Sequence, residues 1–132
     1  MKHKHTFKIV SSIILLTAII ILVSIYTQRT LSRDSLRMEQ SIDEIENNVK
    51  SEKWAQAETG IGTIKTIWKD VKGIWSALID HQEIDNIDVT LSRLQMLVQA
   101  QEKPSSLSEA EALKKYIGHI PAKEKLGLEN LF

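Results

Sequence analysis

The chain has 132 residues, of which 42% are hydrophobic and 26% charged, the composition of a folded protein rather than a disordered one. It contains no cysteine, which excludes a disulfide framework and a zinc–thiolate site. Basic and acidic residues are equal in number at 17 each; all but three of the basic ones, and all of the acidic ones, fall in residues 27–132. That slight acidic excess gives no electrostatic footprint for nucleic acid, so we expect no nucleic-acid partner.

The first predicted element is an uncharged run from Ile9 to Tyr26. As a helix it would be roughly 27 Å long, which matches the hydrocarbon thickness of a bilayer. We predict a transmembrane anchor over residues 9–26, with residues 1–8 as a basic leader. Because a short basic leader usually stays in the cytoplasm, residues 27–132 are expected outside the cell membrane, tethered to the lipid bilayer by a single pass.

Two alternatives concern this N-terminal region. A cleavable signal peptide would have a shorter apolar region followed by small residues. This run instead has Ile25, Tyr26 and Gln28 where a cleavage site needs small side chains, which favours a retained anchor. Met1-Lys2-His3 could chelate copper or nickel through a free amine, but a basic topogenic leader is the favoured interpretation.

Beyond the anchor the apolar residues recur in steps of three and four, which is typical of amphipathic helices packed in a bundle. The first helix is predicted over about 30–50, continuing directly from the anchor, and the second over 52–78. Gly60 and Gly62 indicate a kink or a close helix contact within the second helix. The aromatic residues of that helix share one face and are predicted to be core residues, with an exposed strip for sugars or a partner helix as the alternative: Trp54, Trp68 and Trp75.

The third helix is predicted over 81–103 and is ended by Pro104. The fourth is predicted over 106–117, where Ser106 and Glu109 form a capping box and Gly118 is the C′ residue. An amphipathic tail at 122–132 is expected to fold back over the bundle. The predicted fold is therefore all-α, a single N-terminal transmembrane helix followed by a small antiparallel helical bundle.

The stretch between the second and third helices has the pattern of a helix start. Asp80 and Glu83 stand at the N-cap and N3 positions of a capping box, and Ile79 and Ile84 stand at the two positions of a hydrophobic staple. The apolar phase also breaks here, since Leu78 and Ile84 are six residues apart. We therefore predict structural roles for these four residues.

The same stretch suggests a second hypothesis. His81, Asp85 and Asp88 fall at i, i+4 and i+7, so they project from one helix face and could hold a divalent metal. One helix alone rarely supplies a closed site, and the position of His119 relative to them cannot be derived from the sequence. The capping interpretation is favoured, no cofactor is expected, and the absence of a P-loop, a nucleophile elbow or H-E-x-x-H predicts a protein that is not an enzyme.

Several of these features together resemble domain-of-unknown-function family 4363. The resemblance rests on the basic leader and single span, Trp54 with Ala57, the pair Trp68 and Trp75, the run from Leu78 to Asp85, the L-x-R-L at Leu91, Arg93 and Leu94, and the tail around Asn130. It implies a small membrane-anchored helical protein of spore-forming Gram-positive bacteria, and genomic association with small multi-pass membrane proteins, but no reaction.

Two functions of different classes follow as hypotheses. The leading one is an accessory or interaction protein whose bundle docks onto an integral membrane partner, or onto itself, on the outer face. The alternative is an extracytoplasmic metal- or small-ligand-binding module built on His81, Asp85 and Asp88.

Overall fold

The computed structural model describes residues 2–130, and these form four α-helices and no strand, which confirms the all-α prediction. The helices are α1 (Lys2–Lys50), α2 (Trp54–Leu78), α3 (His81–Gln99) and α4 (Lys103–Glu129). Met1, Leu131 and Phe132 lie outside the described residues, and with them the amine of the alternative chelating N-terminus and the last two residues of the predicted tail.

Contacts between helices define an antiparallel ring in the order α1, α2, α3, α4. Along α1 and α2, Asp34 meets Trp75 and Ile45 meets Gly60, so the residue numbers run in opposite directions. The same reversal relates α4 to α1 and α2 to α3. The α1–α4 face and the α2–α3 face are therefore opposite sides of the bundle.

α1 is one uninterrupted helix that extends from the apolar run into the bundle, as the sequence predicted. Its apolar part has a mean hydropathy of 2.7 over an 18-residue window, none of which is buried, so by length and composition it could cross a membrane. From Thr30 onward the same helix is part of the bundle, and Leu31 is fully buried. A single rod thus connects the exposed apolar segment to the folded core.

The core consists of the inward-facing residues of all four helices, and most of the predicted stripes supply them. Its largest fully buried side chains include Trp75, Leu31, Met38, Ile42, Ile45, Ile64, Ile87, Leu94, Leu113, Ile117 and Ile120. At about 25 cal/mol per Å² of apolar surface removed from water, burial of these side chains is the main stabilising term of the bundle.

The predicted end of the third helix at residue 103 is wrong, because the chain turns at Gln99. Gln101 adopts a left-handed φ of 56°, and the N–H groups of Gln101 and Glu102 donate to Val98 and Leu97 in a Schellman turn. α1 ends in the same way, with Glu52 at a φ of 56°. Neither turn has the glycine that usually occupies the left-handed position of a Schellman turn.

The predicted start of the fourth helix at Ser106 is also wrong. α4 begins at Lys103, and Pro104 lies in its first turn, where an N–H has no intrahelical acceptor and its loss costs nothing. Ser106 is fully buried inside the helix, and its N–H donates to the carbonyl oxygen of Glu102. It is not an N-cap.

Gly118 does not end α4, and Pro121 does not break it, since the helix continues to Glu129. Gly118 lies against α1, where a Cβ atom would approach the Glu39 Oε1 atom to 3.0 Å. Pro121 removes the N–H that would bond the Ile117 carbonyl oxygen, and the Ser35 hydroxyl of α1 replaces it at 3.1 Å. Contacts with α1 therefore support a helix that local sequence signals would stop.

The predicted tail is the continuation of α4 rather than a segment folded back over the bundle. The Gln28 Nε2 atom donates to the Pro121 carbonyl oxygen at 3.0 Å, which places Pro121 level with the lower end of the bundle. Because α4 runs antiparallel to α1, the residues after Pro121 extend toward the apolar part of α1.

The sequence left two interpretations of Gly60 and Gly62, a kink in α2 or a close contact with another helix. α2 is unbroken through Gly60 and Gly62, so no kink occurs there. A Cβ atom on Gly60 would approach the Ile45 Cγ1 atom to 2.7 Å, so this glycine permits a close contact with α1. At Gly62 and Gly73 an added Cβ would meet nothing within 4 Å.

Candidate docking groove between α2 and α3

The junction at Asp80 holds the start of α3 through one half of the predicted capping box. The Asp80 carboxylate accepts a hydrogen bond from the Gln82 N–H at 3.0 Å, and Ile79 and Ile84 are both buried in the core. The Glu83 side chain does not reach back to Asp80. It contacts Lys123 at 3.1 Å and His119 at 3.4 Å, both on α4.

That contact makes Glu83 a tie between α3 and α4 rather than a local cap. The hydrogen bond and charge of Glu83 raise the pKa of Lys123. The reach of Lys123 to Glu83 depends on the continuation of α4 past Pro121, which the sequence did not predict.

The three residues of the metal hypothesis are not brought together as one ligand set. His81 and Asp85 are exposed on α3, while both carboxylate oxygens of Asp88 are engaged by α2. Among residues 2–130, no group of three or more His, Cys, Asp or Glu side chains converges as a metal site. Asp88 is instead part of a groove.

This groove, of about 420 Å³, lies between α2 and α3 on the outside of the bundle. Its lining residues combine an apolar floor with a polar rim: Lys65, Trp68, Lys69, Lys72, Asp88, Leu91, Ser92 and Gln95. A second hollow of about 350 Å³ lies next to it, past Ile61 and Gly62 to Gln99, and the two meet at Lys65 and Gln95. From Glu58 to Lys72 the combined groove follows roughly 21 Å of α2, enough to accommodate several turns of a helix.

Asp88 fixes the floor of the groove. Its Oδ1 atom accepts from the Trp68 Nε1 atom at 2.7 Å, and its Oδ2 atom accepts from the Lys72 Nζ atom at 2.6 Å. Trp68 is 4% exposed and also meets Trp75 edge to face at 5.8 Å. The indole is thus locked in one orientation, with its hydrogen-bonding edge toward the groove.

The rim of the groove is basic. Lys65, Lys69 and Lys72 recur at i, i+4 and i+7 and so lie along one side of α2. The Lys65 Nζ atom crosses the groove to the Gln95 Oε1 atom at 2.9 Å, and Lys72 pairs with Asp88. Lys69 is exposed and, within residues 2–130, makes no hydrogen bond or ion pair.

Gly62 lines the groove, and no packing contact within the chain requires a glycine at this position. A glycine inside a helix costs about 1 kcal/mol relative to alanine. Gly60 offsets that cost through its contact with Ile45, whereas nothing within the chain lies close enough to Gly62 to require the absence of a side chain. A backbone approaching from outside the molecule would give this glycine a role.

The tryptophans are placed in different environments. Trp75 is fully buried and donates from its Nε1 atom to the Asp34 Oδ2 atom at 3.3 Å, and Trp68 forms the groove floor. Trp54 is only partly buried against the core near the upper turn. These three residues therefore do not form an exposed aromatic strip.

The opposite side of the bundle, between α1 and α4, is acidic. The Lys114 Nζ atom is surrounded by Asp43 at 3.0 Å, Glu46 at 3.1 Å and Glu111 at 3.3 Å. The hydrogen bond that Lys114 donates to Asp43, with those to Glu46 and Glu111, raises the pKa of Lys114. Three carboxylates around one ammonium give the immediate surroundings of Lys114 an excess of negative charge.

A family model described as domain of unknown function (DUF4363) matches residues 25–131 of the chain. The chain belongs to the DUF4363 family. Comparison with curated proteins and with solved structures found no match.

The part of the chain that matches DUF4363 contains the whole bundle, including both the groove and the acidic side. Sequence reasoning did not identify the groove. The lysine spacing on α2 was visible in the sequence, but its pairing with Gln95 and Asp88 depends on the register between α2 and α3, which periodicity does not fix.

Proposed function

We propose that this chain is a membrane-anchored, non-catalytic interaction protein whose helical bundle docks onto an integral membrane partner at the outer face of the cell membrane. The groove between α2 and α3 is the docking surface. The apolar part of α1 is the anchor, and the basic leader remains in the cytoplasm.

The observation that carries this proposal is the continuity of α1. The apolar segment and the core-forming segment belong to one helix from Lys2 to Lys50. A soluble partner could be met by a bundle on a flexible linker. A rigid rod, in contrast, presents the bundle at a fixed height and in a limited range of orientations, which suits a partner held in the same bilayer.

The height of the groove above the apolar segment follows from the rise of α1 per residue. Lys65 lies level with Asp43, which is 17 residues beyond Tyr26, so the groove is centred about 25 Å above the end of the apolar segment. An integral partner must therefore project a segment of that height above the bilayer.

The chemistry of the groove specifies the segment. Trp68 and Leu91 offer an apolar floor, and Lys65 and Lys69 offer positive charge at the rim. Helix-in-groove recognition places the apolar stripe of an incoming helix on such a floor. Acidic residues flanking that stripe would pair with the lysines, and electrostatic complementarity of this kind fixes register.

Docking is tested by a photo-crosslinking amino acid placed at Ser92 in full-length protein in native membranes. Ser92 is an exposed residue of the groove. The matched control is Thr63, exposed on α2 and outside the groove. We expect a reproducible crosslinked membrane protein from Ser92 but not from Thr63. Equal crosslinking from both, or from neither, contradicts the groove as the docking surface.

Topology is tested separately by protease treatment of intact cells that carry an epitope after Phe132. Digestion of the epitope without lysis is expected for a bundle outside the membrane. Protection of the epitope in intact cells, with digestion after lysis, would place the bundle in the cytoplasm and exclude an outer-face partner.

A further inference from the structure

The outer face of α1 carries an exposed leucine next to carboxylates. Leu36 is 58% exposed, although it lies within the folded part of the chain. Glu39 and Asp43 follow at i+3 and i+7, so the three side chains share one helix face. The Asp43 side chain is 56% exposed, and its partner Lys114 on α4 is shared with two other carboxylates.

This face of α1 and the lysine rim of α2 have the same spacing in opposite order. Leu36, Glu39 and Asp43 are separated by three and four residues. Read downward, Lys72, Lys69 and Lys65 are also separated by three and four residues.

The two faces also stand at the same height. The contacts of Ile45 with Gly60 and of Asp34 with Trp75 set the register between α1 and α2. In that register Asp43 is level with Lys65, and Glu39 is level with Lys69. A second copy anchored in the same bilayer would bring its carboxylates to the height of the lysines without vertical displacement.

Their positions around the bundle complete the match. Glu39 and Asp43 lie toward α4, beside Gly118 and Lys114. The lysines border the groove between α2 and α3, which is the opposite side of the ring. One molecule can therefore use both surfaces at once, each with a different neighbour.

We propose that the groove receives α1 of a second copy of this chain, so that copies associate head to tail in the plane of the membrane. This inference rests on the proposed function and names its partner. Leu36 of the incoming copy lies level with Lys72 and packs against the aliphatic stem of that lysine at one end of the groove. Its Asp43 pairs with Lys65, and its half-buried Glu39 stands level with Lys69. An interface between two different surfaces leaves one surface of each kind free on every dimer. Further copies can therefore add to form a row, or a ring if the rotation between copies closes.

Gly62 gains a role in this arrangement. It lies one turn above Lys65, and therefore one turn above the level of Asp43, where the incoming helix would cross α2. Small residues allow helix backbones to approach closely. A methyl group at Gly62 is accommodated within the single chain but would stand between the two copies.

Directed disulfide formation tests the head-to-tail arrangement. Because the chain has no native cysteine, only the introduced cysteines can form a disulfide. Purified full-length chain carrying both Leu36→Cys and Lys72→Cys, which this register places at the same height, is reconstituted in phosphatidylcholine vesicles and oxidised. We expect a ladder of dimers, trimers and larger species on a non-reducing gel. An equimolar mixture of the two single-cysteine chains should stop at the dimer.

Charge reversal supplies the second test. We expect the groove variant (Lys65→Glu with Lys69→Glu) and the face variant (Leu36→Lys with Asp43→Lys) each to associate at least about tenfold more weakly than the native chain. Mixing the two variants should restore association, because each reversed surface then meets its opposite. A folding defect would not be rescued by mixing. Since all four positions are exposed, folding is checked by circular dichroism.

The glycine pair gives a matched control for the close approach. Gly62→Ala should weaken association, whereas Gly73→Ala, at the other open glycine of α2 and outside the groove, should not. Equal effects would contradict the approach at Gly62.

The outcomes separate the two proposals. A purified chain that stays monomeric in vesicles, while Ser92 still crosslinks another protein in native membranes, overturns self-association and leaves the proposed function standing. A homodimer formed by one single-cysteine chain alone, in high yield, indicates a two-fold interface and overturns the head-to-tail arrangement. Failure of both crosslinking experiments overturns both proposals.

Discussion

The Ser35 hydroxyl donates to the Ile117 carbonyl oxygen at 3.1 Å, across the interface between α1 and α4. Pro121 stands four residues after Ile117 and has no N–H, so this carbonyl has lost its intrahelical donor. Ser35 is 2% exposed and Ile117 is fully buried, so water cannot replace the missing bond. A side chain of α1 therefore compensates for a proline in α4.

Ser35→Ala should destabilise the bundle by about 1–2 kcal/mol, because it leaves a buried carbonyl oxygen without a donor. In the Pro121→Ala background residue 121 supplies an N–H again, so the same substitution should cost less. Chemical denaturation of the four chains of this double-mutant cycle measures the coupling. Additive effects would contradict compensation.

Glu39 provides the control for that cycle, because the Ser35 hydroxyl has a single proton, which it shares between the Ile117 carbonyl oxygen and the Glu39 Oε1 atom at 2.9 Å. If the cost of Ser35→Ala came from losing Glu39, it would be independent of Pro121. The cycle of Glu39→Gln with Pro121→Ala should accordingly be additive within about 0.5 kcal/mol.

Helical periodicity predicted most of the fold. The stripes that begin at Leu31, Trp54 and Ile84 became the inner faces of α1, α2 and α3, because apolar residues on one side of a helix must be buried whatever the neighbours are. The continuity of α1 could be predicted for a similar reason, since nothing between Tyr26 and Leu31 breaks a helix.

The errors lie where tertiary contacts override local signals. Gly118 and Pro121 are ordinary stop signals, and only the proximity of Glu39 and Ser35 on α1 explains why the helix continues. Glu52 and Gln101 reverse the chain without glycine. Periodicity predicts the end of α1 at residue 50 correctly but puts the end of α3 four residues too late.

The groove could not be predicted because it belongs to two helices. The sequence indicates Asp88 as a possible metal ligand, but its hydrogen-bond partners Trp68 and Lys72 are 20 and 16 residues away along the chain. Helical spacing relates residues on one helix and is silent about the register between two.

Asp88→Ala should destabilise the bundle by about 1–2 kcal/mol, because it leaves the buried Trp68 N–H without an acceptor. Asp88→Asn should cost less than 1 kcal/mol. The amide oxygen can still accept from Trp68, and the lost pair with Lys72 is partly exposed and therefore weak. Thermal denaturation followed by circular dichroism compares the two variants, and equal costs would show that the ion pair, rather than the indole bond, is what stabilises the groove.

Gln101→Gly should stabilise the protein by about 0.5–1 kcal/mol. A residue with a side chain costs roughly 1–2 kcal/mol in the left-handed conformation that Gln101 adopts, and glycine avoids this cost at a smaller loss of chain entropy. Met96→Gly, at an exposed position inside α3, is the control and should destabilise by about 1 kcal/mol. Urea denaturation midpoints for both variants measure the difference, and a lower midpoint for Gln101→Gly would contradict the prediction.

Lys114 predicts a stability difference that depends on pH. Its hydrogen bond with Asp43, supported by Glu46 and Glu111, raises its pKa above the ordinary value of 10.5. The protonated lysine therefore stabilises the folded state fully below pH 10.5, and this contribution is lost as the pH rises through the raised pKa.

Lys114→Met keeps the aliphatic stem but leaves three carboxylates without their shared cation, so it should cost roughly 1 kcal/mol at neutral pH. Urea denaturation of both chains from pH 7 to 11.5 should show a constant difference up to about pH 10, followed by convergence. Lys53→Met, at an exposed lysine in the turn before α2, serves as the control and should leave stability unchanged within about 0.5 kcal/mol. A difference between native chain and Lys114→Met that widens at high pH would show that the ammonium is not held by the acidic side.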